Sequence, residues 1–379
     1  MINEQFDDIR PFYENEIPAA MQRIANSTSF PLLASYVYPQ ADLEAIRQQI
    51  RSYHTIRDFQ LEVMRCVNEQ VIARSTKGFT YCGLDRLDPK QQYMFVSNHR
   101  DIMLDACLLQ YALYQQGHET SEITFGANLM QGQLVTDIGR ANKMFRVERP
   151  GMSPREFYKS SLHLSEYMRY TITEKKQSIW IAQRNGRTKD GCDRTDQGII
   201  KMFGMSYPND KIKALEELHI VPVSISYEWE PCDILKAIEV YQSRREKYIK
   251  KPNEDLNSIL TGIMQPKGRV HIAFCEPLTH TDLMTFNQFT ASEYHRQVAH
   301  LLDQRICAAY SLSPNNYIAH DLRYGKTEFS DHYTPEEKVA FEQHLQNLNE
   351  YAEFCDMEQL TDIFLGIYAN PIDSKSQLL

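Results

Sequence analysis

No run of apolar residues in this 379-residue chain approaches the roughly 18 that a membrane-spanning helix needs. The N-terminus, Met1 to Asp8, is acidic where a secretory signal would be basic and then apolar, so an intracellular protein that does not cross a bilayer is expected. The eight cysteines are scattered, with no CxxC pair and no zinc-type spacing to histidine. That excludes a disulfide framework and gives no metal site, and reduced thiols fit a cytosolic compartment. Internal repeats and low-complexity segments are absent, as is a GxSxG elbow that would present a serine nucleophile.

What is present is ordinary in bulk and uneven in detail. The apolar share of 42% and charged share of 24% are those of a globular protein. The net charge of -9 conceals a basic stretch. Between Arg140 and Lys189 there are twelve Lys and Arg against four Glu, a local +8, which leaves about -17 elsewhere. A positive field in an acidic chain points to an anionic partner, the plainer alternative for Arg155 to Lys176 being a solvated helix face. The stretch lacks the aromatic interleaving of a nucleic-acid stacking platform.

Three- and four-residue apolar spacing predicts helices over residues 1–75, the aromatic piece Phe30 to Tyr38 being read as packing or a lipid-contacting surface. From residue 76 the pattern changes. Strands are expected at 79–84, 93–97, 123–127, 179–182, 220–227 and 269–274, with helices between them, one running from Asp101 to Gln116. Capping boxes at Ser153-Pro154-Arg155-Glu156, Thr290 to Glu293 and Thr334 to Glu337 open further helices, and the last is expected to stop at Asn370-Pro371. The fold class is therefore α/β: a mixed sheet flanked by helices, with N-terminal and C-terminal helical extensions. The expected division is a helical region (1–75), an α/β domain (76–280) and a helical extension (281–379).

Four segments at strand ends carry the possible chemistry, since open α/β sheets bind ligands at the carboxyl ends of their strands. The first is Asn98-His99 followed by Asp101 and Asp105, a base beside two acids spaced to share a helix face. The second runs from Asn142 to Gly151 and places Arg149 before a Pro-Gly turn, where a guanidinium suits a phosphate. The third, Gln183 to Gly191, is a glycine-containing turn bearing Arg184, Arg187 and Lys189, the composition of a phosphate cradle. The fourth, Val221-Pro222-Val223, is a strand whose proline implies an edge or a bulge.

In this order and spacing, the four segments resemble the motifs of the glycerol-3-phosphate and lysophosphatidate acyltransferase family, over about residues 79–278. Two departures are visible. Five residues rather than four separate His99 from Asp105, and Asn185 stands where the third motif has a glutamate before Gly186. The resemblance implies a glycerolipid O-acyltransferase with His99 as general base. Asp105 would orient the imidazole, with Asp101 as the other candidate but better placed as a helix cap. It also implies substrate binding by Asn98, Arg149, Arg184, Arg187 and Lys189, with backbone N–H groups after His99 at the oxyanion. Acyl-CoA or acyl-carrier protein would be the co-substrate, with no further cofactor. The acceptor would be a glycerol-phosphate or lysophospholipid, at the cytoplasmic, inner face of a membrane that the chain touches peripherally. The alternatives from the two departures are a catalytically lapsed lipid-binding protein and an acyltransferase for a non-glycerolipid acceptor.

Overall fold

The computed structural model describes residues 4–148, 151 and 153–378. Seven strands follow in chain order: β1 (Thr76–Cys82), β2 (Met94–Ser97), β3 (Glu122–Gly126), β4 (Met144–Val147), β5 (Ile179–Ala182), β6 (Ile220–Tyr227) and β7 (Gly268–Phe274). They form one sheet of order β1-β7-β6-β2-β5-β3-β4. Every pairing is parallel except β6 with β7, so the sheet is mixed and flanked by helices, as expected. The middle strands read as continuous apolar runs because both of their faces are covered: all of β2 and all of β6 are buried. Alternation sorts their side chains. Met94, Val96, Ile179 and Ile181 enter one layer with Leu164, Met168 and Val298. Phe95 and Trp180 enter the other with Leu108, Leu109 and Ala112.

Two prolines are placed against expectation. Pro222 lies in β6, between β2 and β7, and not at an edge. Its strand tolerates it because the ladder with β7 begins at Val223, while the Pro222 carbonyl accepts from Cys275 N (2.9 Å) beyond the end of β7. The missing N–H therefore faces the end of a ladder and removes no pair from it. Pro371 does not end the last helix, which runs Met357–Leu378 through it. The carbonyl that this proline frees, four residues back at Ile367, lies against Gly191. A Cβ at Gly191 would sit 2.2 Å from that oxygen, and the φ of +77° is one glycine adopts without strain.

The core crosses the expected boundaries. Phe6 and Ile9 from the N-terminal region, and Leu283, Tyr294, Val298 and Leu302 from beyond residue 280, pack into the same cluster as β2 and β5. Ala237 and Tyr241 join the C-terminal cluster around Phe364 and Tyr368. The helix Phe30–Val37 buries Phe30, Ala34 and Val37 and exposes Leu32 and Leu33. All eight cysteines are free, and no helix among the described residues is long and apolar enough to cross a membrane.

Candidate active site

β2 ends at Ser97 in the middle of the sheet, flanked by the carboxyl end of β5 on one side and the aligned stretch of β6 on the other. The chain leaves it through Asn98 and His99. The helix that follows begins at Leu104, three residues later than its capping pattern suggested. Asp101 still serves that helix from outside, its Oδ1 accepting from Met103 N (2.9 Å) and Leu104 N (2.8 Å). Residues 100–103 thus form a loop that absorbs the extra residue. Asp105, not Asp101, meets the imidazole: His99 Nδ1 and Asp105 Oδ2 are 2.8 Å apart.

Asp105 is fully buried and densely bonded. The same Oδ2 accepts from Arg100 N (2.6 Å) and Asp101 N (2.9 Å), and Oδ1 accepts from Tyr227 OH (2.8 Å) at the end of β6. Burial, and then the Asp105 charge, push the Tyr227 phenol well above its ordinary value, so it remains a neutral donor. With an acceptor-only carboxylate at Nδ1, that nitrogen carries the proton and Nε2 is left as the base. Trp180 meets the imidazole edge-on at 5.8 Å and is itself held by Ser97 Oγ (3.0 Å). The backbone N–H groups of Arg100, Asp101, Met103 and Leu104 are all committed to carboxylates. They are therefore not available to an oxyanion.

Asp101 is also fully buried, with Oδ2 unpartnered and pressed against Gly262. Burial, reinforced by the neighbouring Asp105, raises its carboxyl above the usual range. Asn98 does not face a substrate. It is fully buried, exchanging hydrogen bonds with Ile225 N and O (2.7 and 2.9 Å) and donating to Asp193 Oδ2 (2.9 Å), so it stitches β2 to β6 and to the third loop.

The third loop approaches His99 because β5 runs parallel beside β2. Thr188 N donates to the His99 carbonyl (2.8 Å) and Thr188 Oγ1 to Asp193 Oδ1 (2.8 Å). Arg184, Asn185, Arg187 and Lys189 line a cleft of about 500 Å³ together with His99, Ile102, Leu129 and Val240. Lys189 is ion-paired with Glu239, and Nη1 of Arg187 has no partner. The opposite wall comes from the β6–β7 connection, Ser243, Arg244, Lys250 and Asp255. Sequence reading passed over this segment, although its run of cations from Arg244 to Lys251 was the available signal. Arg149 falls outside the described residues.

Behind the cleft lies a buried polar network. The enclosed guanidinium of Arg100 bridges Asp193 (2.6 Å) and Glu230 (3.2 Å), and Lys236 donates to the Arg100 carbonyl (2.7 Å). The C-terminal region holds it from outside: Tyr368 OH donates to Asp233 (2.6 Å), and Asn370 Nδ2 to the Asp190 carbonyl of the third loop (2.6 Å). The +8 stretch does not collect on one surface. Arg184, Arg187 and Lys189 stand at the carboxyl end of β5, whereas Lys143 and Lys175 line a separate cavity of about 490 Å³ at the opposite strand ends. There Lys143 is bonded to Thr120 and Gln177, and burial lowers it to about 8.

An acid-oriented histidine on the lining of a cleft that also carries Arg184 and Arg187 is an arrangement that can take a proton from a hydroxyl beside an anionic group. The acyltransferase family model matches residues 78–226, the span from β1 to β6 that carries this histidine and its acid. Over that span the chain is similar to the acyltransferases, the class that its motifs resemble. Among solved structures, the 1-acyl-sn-glycerophosphate (LPA) acyltransferase PlsC from Thermotoga maritima is 12% identical. The alignment covers 75% of this chain and 91% of that one, at a TM-score of 0.36. No curated protein matches the chain.

Proposed function

We propose that this domain moves a fatty acyl group from a thioester, acyl-CoA or acyl-carrier protein, to the hydroxyl of a lysophospholipid or glycerol-phosphate acceptor. The observation that carries the reading is the 2.8 Å contact of His99 Nδ1 with a buried Asp105, which leaves Nε2 in a cleft rimmed by Arg184 and Arg187. Nε2 takes the proton of the acceptor hydroxyl as its oxygen attacks the thioester carbonyl. The C–O bond forms and the C–S bond breaks, and the imidazolium returns the proton to the departing thiolate. Asp105 offsets the imidazolium charge and Tyr227 fixes the carboxylate. Arg184 and Arg187, which line the cleft, bind the phosphate of the acceptor. Asn185, an amide where the family pattern has a carboxylate, favours a lyso-lipid over simple glycerol 3-phosphate.

The test is a panel of lyso-lipid and glycerol-phosphate acceptors with labelled acyl-CoA and acyl-carrier protein. Transfer is expected to at least one lyso-lipid. His99→Ala is expected to lower kcat by on the order of 10²–10⁴ with an unchanged unfolding temperature. A folded His99→Ala variant with full activity overturns the mechanism.

A further inference from the structure

The β6–β7 connection contains the helix Glu254–Met264. One side of it is fixed to the site: Gly262 is packed on the Asp101 carboxylate, and the Ser258 carbonyl accepts from Cys232 Sγ (3.2 Å). Residues four apart advance by only about 40° around a helix, so Leu256, Leu260 and Met264 form a single stripe, centred about 180° from Ser258 and Gly262. These three are 54, 50 and 73% exposed, and Ile249 in the preceding loop is 79% exposed. Among the described residues no other stretch of this length exposes four large apolar side chains.

The stretch leading into that helix, Arg244 to Lys251, is basic, while the helix itself opens on Glu254 and Asp255. Arg244, Arg245, Lys247, Lys250 and Lys251 are all exposed, against Glu246 alone within that run. Arg245 packs over the Tyr241 ring (4.2 Å) and Lys250 is paired with Asp255, which leaves Arg244, Lys247 and Lys251 to face outward. An apolar stripe beside a cationic rim is the pattern of a helix lying in the interfacial plane of a bilayer. Arg244 and Lys250 also form the wall of the cleft opposite His99.

We infer that the Ile249–Met264 segment is the membrane-docking surface of the molecule, seating Leu256, Leu260 and Met264 among the acyl chains of an anionic lipid surface with the cleft mouth at headgroup level. The choice of a lipid occupant over a protein rests partly on the proposed acyl transfer. The cationic rim and the continuity of the segment with the cleft support it independently. A lipid acceptor would then enter from the bilayer without crossing water.

The experiment is flotation of the full chain with vesicles of phosphatidylcholine alone or mixed with phosphatidylglycerol. The wild type is expected to float with the mixed vesicles and to be released by salt. Leu256→Ser, Leu260→Ser and Met264→Ser combined should weaken vesicle affinity by about tenfold or more. The circular dichroism and the turnover of a water-soluble acceptor should not change. A fluorophore on Leu260→Cys should shift to the blue when mixed vesicles are added. Undiminished flotation of the triple variant overturns the inference. So does a wild-type dimer that the triple variant dissolves while the fluorophore ignores vesicles. If the wild type floats, the variant does not, and no acceptor is acylated, the docking surface stands and the acyl transfer falls.

Discussion

One carboxylate, Asp105, both orients His99 and closes the loop around it. Three of its donors, Arg100 N, Asp101 N and Tyr227 OH, are buried, and an unsatisfied buried donor costs roughly 1–3 kcal/mol. Asp105→Ala is therefore expected to lose about 3 kcal/mol or more of stability as well as activity, read by urea denaturation, while His99→Ala loses activity alone. Equal stability of the two variants would show that the carboxylate does not organise the loop. Sequence reading reached His99 and favoured Asp105, because a cap position was recognisable at Asp101. It missed Tyr227 and Trp180, since both lie in strands whose apolar runs read as core. Tyr227 holds the last position of its strand, at the ligand side, and that position was the signal available for it; Trp180, inside β5, offered none.

At the level of elements, the central strands were legible because burial on both faces leaves an unbroken apolar run, whereas the edge strand β4, partly exposed at Arg146, was not among the expected strands. Helix ends were less so. A side chain that accepts from the N–H groups two and three residues on looks the same in sequence whether it starts the helix or, like Asp101, stands in a loop before it. Proline likewise reads as an edge or a stop, yet Pro222 and Pro371 occupy places where the lost N–H has no partner to miss or the freed carbonyl finds room. The helix Glu254–Met264 makes this testable. Alanine at Gly262 should favour an isolated helix by up to about 1 kcal/mol. A Cβ there would lie 2.1 Å from Asp101 Oδ2, and overpacking of this kind costs about 1–3 kcal/mol. Gly262→Ala should therefore lower both thermal stability and acyl transfer, and a stabilised variant would contradict the contact.

For the whole molecule, a linear count of charge proved a poor guide to surface. The basic stretch spans both ends of β5, so its +8 divides between the cleft and the far side of the sheet. Apolar periodicity likewise does not say which core a helix joins: Leu283, Tyr294, Val298 and Leu302 pack with β2 and β5. The C-terminal region instead grips the site through Asp233, which also meets His344 Nε2 at 2.7 Å. Burial lowers the His344 pKa, but the hydrogen bond and charge of Asp233 outweigh it and the net shift is upward. The raised group stabilises the fold in full below its unfolded value of about 6.5, and the contribution is lost as pH rises through the raised folded value. Unfolding temperature should fall over that window, and His344→Gln should flatten the fall. Parallel curves for the two proteins would remove the assignment.

The third loop has one further property. Asp190 is bonded to Asn370, 180 residues away, and Gly191 receives the Ile367 carbonyl at the same place. Neither contact exists until the helix Met357–Leu378 lies beside the third loop. This side of the cleft is thus completed only when the final helix has docked. A chain without that helix is therefore expected to hold Asp190 and Gly191, and with them the phosphate-facing loop, less firmly, as faster amide exchange there would show.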